Sequence, residues 1–213
     1  MLVFVAAGSF MGVLWTLSLL AMIQLMPGPQ AMWDAASEAN VWTWGNAVLF
    51  ILGAGGALDR GFAPGALRTR LAWLALAGAL FLLSLDDVAS FHERLDPLGR
   101  QMGGGDGATH FAWVIPGAVI GLFALIGFAF CARVIGGRAG QLVLGGAGVF
   151  FLGALGLEVV SGAHLAGGGS NLTYALLYHV EEAVEAGGAA LLLAAGYAPG
   201  RGELARTGLA GQA

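Results

Sequence analysis

The run LAWLALAGALFLLSLDDVASFHERL, residues 71–95, decides the fold class. Its first half is uncharged, and it then turns abruptly to Asp86, Asp87, His92, Glu93 and Arg94. As a helix, about 20 apolar residues cover the roughly 30 Å hydrocarbon core of a bilayer, so this stretch predicts a membrane span with a polar outer end. A window of about 19 residues moved outward from it finds five more stretches of the same kind. The six expected spans are Leu2 to Met26, Val41 to Leu58, Leu71 to Leu95, His110 to Val134, Leu142 to Gly162 and Tyr174 to Ala198. The first has no basic flank and too long an apolar run for a signal peptide, so it reads as a span that is kept.

Composition agrees with an all-α, polytopic membrane helix bundle. Of 213 residues 58% are hydrophobic and only 10% charged, with 37 glycines and a mean hydropathy of +0.80. All nine basic residues are arginines, which leaves no basic surface for nucleic acid and no lysine for a retinal-type Schiff base. The single cysteine, Cys131, excludes an internal disulfide and a cysteine-zinc site. Residues 1–198 read as one six-helix domain, and 199–213 as a short flexible tail.

Arginine placement predicts the orientation. Arg60, Arg68, Arg70, Arg133, Arg138, Arg201 and Arg206 fall on one side and only Arg94 and Arg100 on the other. Loops that retain arginine stay in the cytoplasm, so both termini are expected there, in a bacterial inner membrane. Small residues let helices approach closely in lipid, and Gly117 with Gly121, together with Gly145, Gly146, Gly148, Gly153 and Gly156, predict close internal packing. Pro116 is expected to kink its span. Trp33, Trp42, Trp44, Trp113, Tyr174 and Tyr178 are expected to form an aromatic belt at the outer interface.

The same sorting leaves eleven acids on the outer side with those two arginines. Seven of the acids fall within spans at similar depth: Asp86, Asp87, Glu93, Glu158, Glu181, Glu182 and Glu185. A charged side chain at a bilayer centre costs about 2.5–3.5 kcal/mol on insertion scales, and neighbouring carboxylates repel one another. Bound cations, shared protons, Arg94 and the histidines His92 and His179 are the available compensation. At 3.6 residues per turn Asp86, Ser90 and Glu93 share one face, as do Tyr178, Glu181, Glu182 and Glu185. A regular helix points His92 about 120° from Asp86, so its membership requires a distortion near Phe91.

Carboxylates and imidazoles between helices suit first-row metals. The candidate ligands are Asp86, Glu158, His179, Glu182, Glu185, His92 and Glu93, with Asp87 and Glu181 as candidate proton carriers. Convergence of Asp86, Glu158, His179 and Glu182 would make the third, fifth and sixth spans neighbours. A divalent metal, zinc or iron, is the expected cofactor, and a haem or pigment held through His92 or His179 is the lesser alternative. His110 and His164 read as interface and loop residues. Against this stands a plain structural reading, in which Glu181, Glu182 and Glu185 favour a helix N-terminus and snorkel to water.

Two fragments resemble the alkaline ceramidase superfamily of membrane hydrolases. Glu38-Ala-Asn-Val-Trp-Thr-Trp-Gly-Asn-Ala-Val-Leu-Phe is similar to the Asn/Trp/Asn segment that opens a span there, and Ser90-Phe91-His92 to its Ser-x-His zinc element. Tyr178-His179 falls where that family completes a His-x-x-x-His pair, with Ala175 in the first histidine's place. The resemblance implies metal-dependent hydrolysis. Three functions therefore stand open: a membrane-embedded metal-dependent hydrolase or oxidoreductase acting on a lipid-like substrate, a non-catalytic subunit among other membrane subunits of a respiratory or photosynthetic complex, and a cation or proton transporter. The inward halves of the spans carry few polar side chains, which weakens transport.

Overall fold

The computed structural model describes residues 12–13, 32–35 and 40–199. The span expected at Leu2 to Met26, Glu38, and the tail beyond residue 199 lie essentially outside that set. The described residues are all-helical: α1 (Val41–Phe62), α2 (Leu67–Ala89), α3 (Asp96–Gln101), α4 (Val114–Ile135), α5 (Gly137–Phe151), α6 (Glu158–Gly168) and α7 (Leu172–Gly196). A π-helical turn, Leu152–Leu157, joins α5 to α6 and makes one continuous helix of 32 residues. Among the described residues, four helices are long and apolar enough to cross a membrane: α1, α2, α4 and the joined α5–α6. The 25 residues of α7 have the length, but carry Glu181, Glu182 and Glu185 near their middle.

Local chemistry explains the ends. The Asn40 side chain accepts from the N–H groups of Trp42 and Thr43 and starts α1, and Asn171 starts α7 in the same way through Tyr174. Pro116 lies in the first turn of α4, where a missing N–H breaks no helical bond; the expected kink is replaced by a helix start. The third span ends earlier than expected, at Ala89, because Ser90 adopts a left-handed conformation at φ 49°. Ser90 and Glu93 therefore leave the helix of Asp86.

Five long helical units close a ring. α1 packs on α2 and α7, α7 on α5, α5 on α4, and α4 back on α2. Glycine sets two of these crossings. A Cβ on Gly188 of α7 would run into the backbone of Phe150, and Gly146 faces the Leu192 N–H at 2.9 Å from its ideal Cβ. On the other side of α7, Gly53 and Gly56 of α1 meet Leu193 and Gly196 at about 3.2 Å. Gly117 and Gly121 pack internally too, on Trp113 and Leu155. The interior between them holds Phe50, Leu76, Leu80, Val143, Ala147, Phe150 and Leu192. Arg60 closes the C-terminal end of α7 by donating to the carbonyls of Gly196 (3.4 Å) and Ala198 (2.6 Å), which α7 leaves without helical partners. The third span thus packs on neither the fifth nor the sixth, contrary to expectation, because α1 and α4 stand between them in the ring.

Candidate functional site

Because the ring brings the end of α2, the start of α6 and the middle of α7 together, their acids surround a common space. This cavity, of about 350 Å³, is lined by Asp87, Glu93, Asp96, Glu158, Glu181, Glu182 and Glu185, with His92, Thr43, Ser161, Trp113, Tyr174 and Tyr178 among the rest of its wall. Of the ligand candidates, Glu158, Glu182, Glu185, His92 and Glu93 line it, as do both proton-carrier candidates, Asp87 and Glu181. Asp86 and His179 do not.

Asp86 instead holds His92. The left-handed Ser90 turns the chain back, so that Asp86 Oδ1 accepts the His92 backbone N–H at 3.0 Å and Oδ2 meets His92 Nδ1 at 3.0 Å. The distortion that His92 required is present, one residue before Phe91. A neutral ring donating Nδ1–H to Asp86 carries its lone pair on Nε2, the usual arrangement for a base or metal ligand oriented by a carboxylate. The ring also rests on Trp113, with centroids 4.6 Å apart.

The opposite wall is built from carboxyls. Glu181, only 6% exposed, accepts from Ser161 Oγ at 3.1 Å and lines the same wall as Glu158. Carboxyl groups gathered on one buried wall repel one another unless a proton or a cation lies among them. Glu158 Oε1 also accepts from Trp113 Nε1 at 3.3 Å, and Glu182 Oε2 from Asn46 Nδ2 at 3.5 Å. Asp96 is held by Arg100 at 2.6 Å and by the Ala112 N–H at 2.9 Å. On α1, Asn46 Oδ1 and the Trp42 indole N–H, one turn apart, are buried with no hydrogen-bond partner among the described residues. His179 is buried, with Nδ1 on the Ala175 carbonyl at 2.7 Å and its ring between Tyr178 and Trp42. Among the described residues no three His, Cys, Asp or Glu side chains are already placed to hold a metal ion.

A family model matches residues 1–198, nearly the whole chain. The chain belongs to DUF8692, a family described as a domain of unknown function. No curated protein and no solved structure matches it. In this DUF8692 protein the likeness of residues 38–50 and 90–92 to alkaline ceramidases therefore rests on those short segments alone.

The expected aromatic belt needs correction in DUF8692. Trp42 is fully buried, Trp113 nearly so, and Tyr174 and Tyr178 line the cavity. Trp44, by contrast, is 57% exposed. Spacing alone missed this because a ring of helices has an inner face at the interface depth as well as a lipid face. His164 bonds to Asn171 at 3.0 Å and His110 stacks on Phe111, both apart from the cavity wall.

Proposed function

We propose that the protein binds a divalent metal ion, zinc or iron, in this outer cavity and is a membrane-embedded hydrolase acting on a lipid-like substrate. The observation that carries the reading is His92, oriented from behind by Asp86, on the wall of a space that also carries seven carboxylates. His92 Nε2, Glu158, Glu182 and Glu185 have the chemistry to hold such an ion. The metal would supply Lewis acidity and an activated water. Asp87 or Glu181 would take the proton from that water. Oxidoreductase chemistry at the same ligands is the near alternative. Lipid-like substrates suit a cavity at the outer end of the bundle, where an acyl chain stays in the bilayer while its head group reaches polar side chains.

The cheapest test is elemental analysis of protein equilibrated with zinc or iron and then gel-filtered, together with melting in the presence and absence of chelator. Stoichiometric metal, and a melting temperature lowered by chelator, are the expected results. No bound metal and chelator-insensitive melting would remove the basis of the enzyme reading. The accessory-subunit reading would then take its place, favoured by the fact that Glu158, Glu181, Glu182 and Asp96 already have protein hydrogen-bond partners.

The full arrangement we propose has six spans in a bacterial inner membrane, both termini cytoplasmic and the carboxylate cavity facing outward. It adds α7 and the Leu2 to Met26 stretch to the four apolar helices. Reporters inserted at Gly65 and Gly168, which lie at opposite ends of the bundle, should report opposite sides of the membrane. The same side for both would contradict the arrangement.

A further inference from the structure

The joined helix that supplies Glu158 is not regular, and its irregularity falls directly before that residue. Gly146, Phe150 and Gly153 mark the face that α5 turns toward α7: the ideal Cβ of Gly146 approaches Leu192 N and Gly188 O, Phe150 abuts Gly188, and the ideal Cβ of Gly153 lies 2.6 Å from Glu185 Cγ and 3.2 Å from the Glu181 carbonyl. At about 100° per residue, a regular helix continued from Phe150 carries Leu157 to within roughly 20° of that face and leaves Glu158 about 80° away from it. A π turn uses about one residue more for the same rotation. Across Leu152–Leu157 this brings Glu158 back to within about 30° of the α7 face and turns Leu157 out of it. The side chains agree, since Glu158 lines the cavity beside Glu181 and Ser161 is buried against the Glu181 carboxyl.

We infer that the π turn Leu152–Leu157 is a positioning element whose one extra residue aims Glu158 at Glu181 and into the cavity. A regular helix of this composition would place Leu157 opposite Glu181 and close the acidic wall with a leucine. The inference takes the use of the cavity from the proposed function, but the geometry it asserts holds whether or not a metal binds. Two flanking contacts keep the turn in place. The ideal Cβ of Gly121 on α4 lies 2.7 Å from Leu155, and Trp113 donates to Glu158 itself.

The test shortens the turn and asks which residue then faces Glu181. In a Cys131→Ala background, the pair Glu158→Cys and Glu181→Cys should be joined by a short bis-methanethiosulfonate reagent in membranes, and the pair Leu157→Cys and Glu181→Cys should not. Deleting Ala154 should leave both results unchanged, because Glu158 then stands seven residues after Phe150 and a regular helix at about 100° per residue carries it to within roughly 20° of the α7 face, where the π turn places it in the parent. Were the parent helix regular, the Leu157 pair would be joined in the parent and the same deletion would exchange the two results. A Leu157–Glu181 link in the parent, or loss of the Glu158–Glu181 link after the deletion, would overturn the inference. None of these readouts needs bound metal, so a failure of the metal reading leaves them intact.

Discussion

Replacing Gly188 by alanine should open the α5–α7 crossing and lower stability by about 3 kcal/mol or more, at the upper end of overpacking costs. The added methyl would meet the backbone nitrogen, Cα and Cβ of Phe150, atoms that cannot swing aside as a long side chain can. Gly187 provides the control, because nothing lies within 4 Å of its ideal Cβ. Both positions are interior to α7, so both substitutions gain the same helix propensity, about 0.5–1 kcal/mol in alanine's favour. Gly187→Ala should therefore melt at or slightly above the parent temperature, while Gly188→Ala melts well below it or fails to give a single species in mild detergent. Equal melting of the two variants would show that the crossing is looser than the contact implies.

The second large effect concerns the carboxyl pair. Converting both Glu158 and Glu181 to glutamine keeps an acceptor for Ser161 and Trp113, yet removes two of the ionisable groups that need a positive species among them. Two results should follow together: metal content in elemental analysis falls at least tenfold, and the metal-free protein melts at a higher temperature than metal-free parent. The sign of the second follows from repulsion, which neutral amides relieve. A site whose carboxyls served only to knit the helices would respond in the opposite way, losing stability on the same double substitution.

Much of this architecture is legible before any coordinates. Runs of apolar residues locate α1, α2, α4, α5–α6 and α7, though not their ends, since a long apolar run reports directly on the cost of charge in hydrocarbon. Acids at one depth on three spans likewise announce a shared polar space. What periodicity hides are departures from regular helix. The left-handed Ser90 brings His92 to Asp86, and no 3.6-residue wheel contains it. The π turn before Glu158 is hidden for the same reason. Partner choice is also invisible: Asn46 reaches Glu182, and Asp86 turns to its own chain neighbour, outcomes decided by which helices adjoin in the ring.

The place of α7 in that ring has a consequence for biogenesis. Asn46 and Glu182 are 136 residues apart, and Arg60 and Ala198 are 138 apart, yet α7 is wedged between α1 and α5. Synthesis at about 5–20 residues per second puts roughly 7 to 30 s between the emergence of the two partners. During that interval the early helices wait in the membrane with the glycine faces of α1 and α5 uncovered and Asp87 without the opposite wall. The cavity is thus the last part of the molecule to exist. A nascent chain arrested before Leu172 presents open glycine grooves and stranded acids, the features by which membrane quality control can tell it from the finished protein.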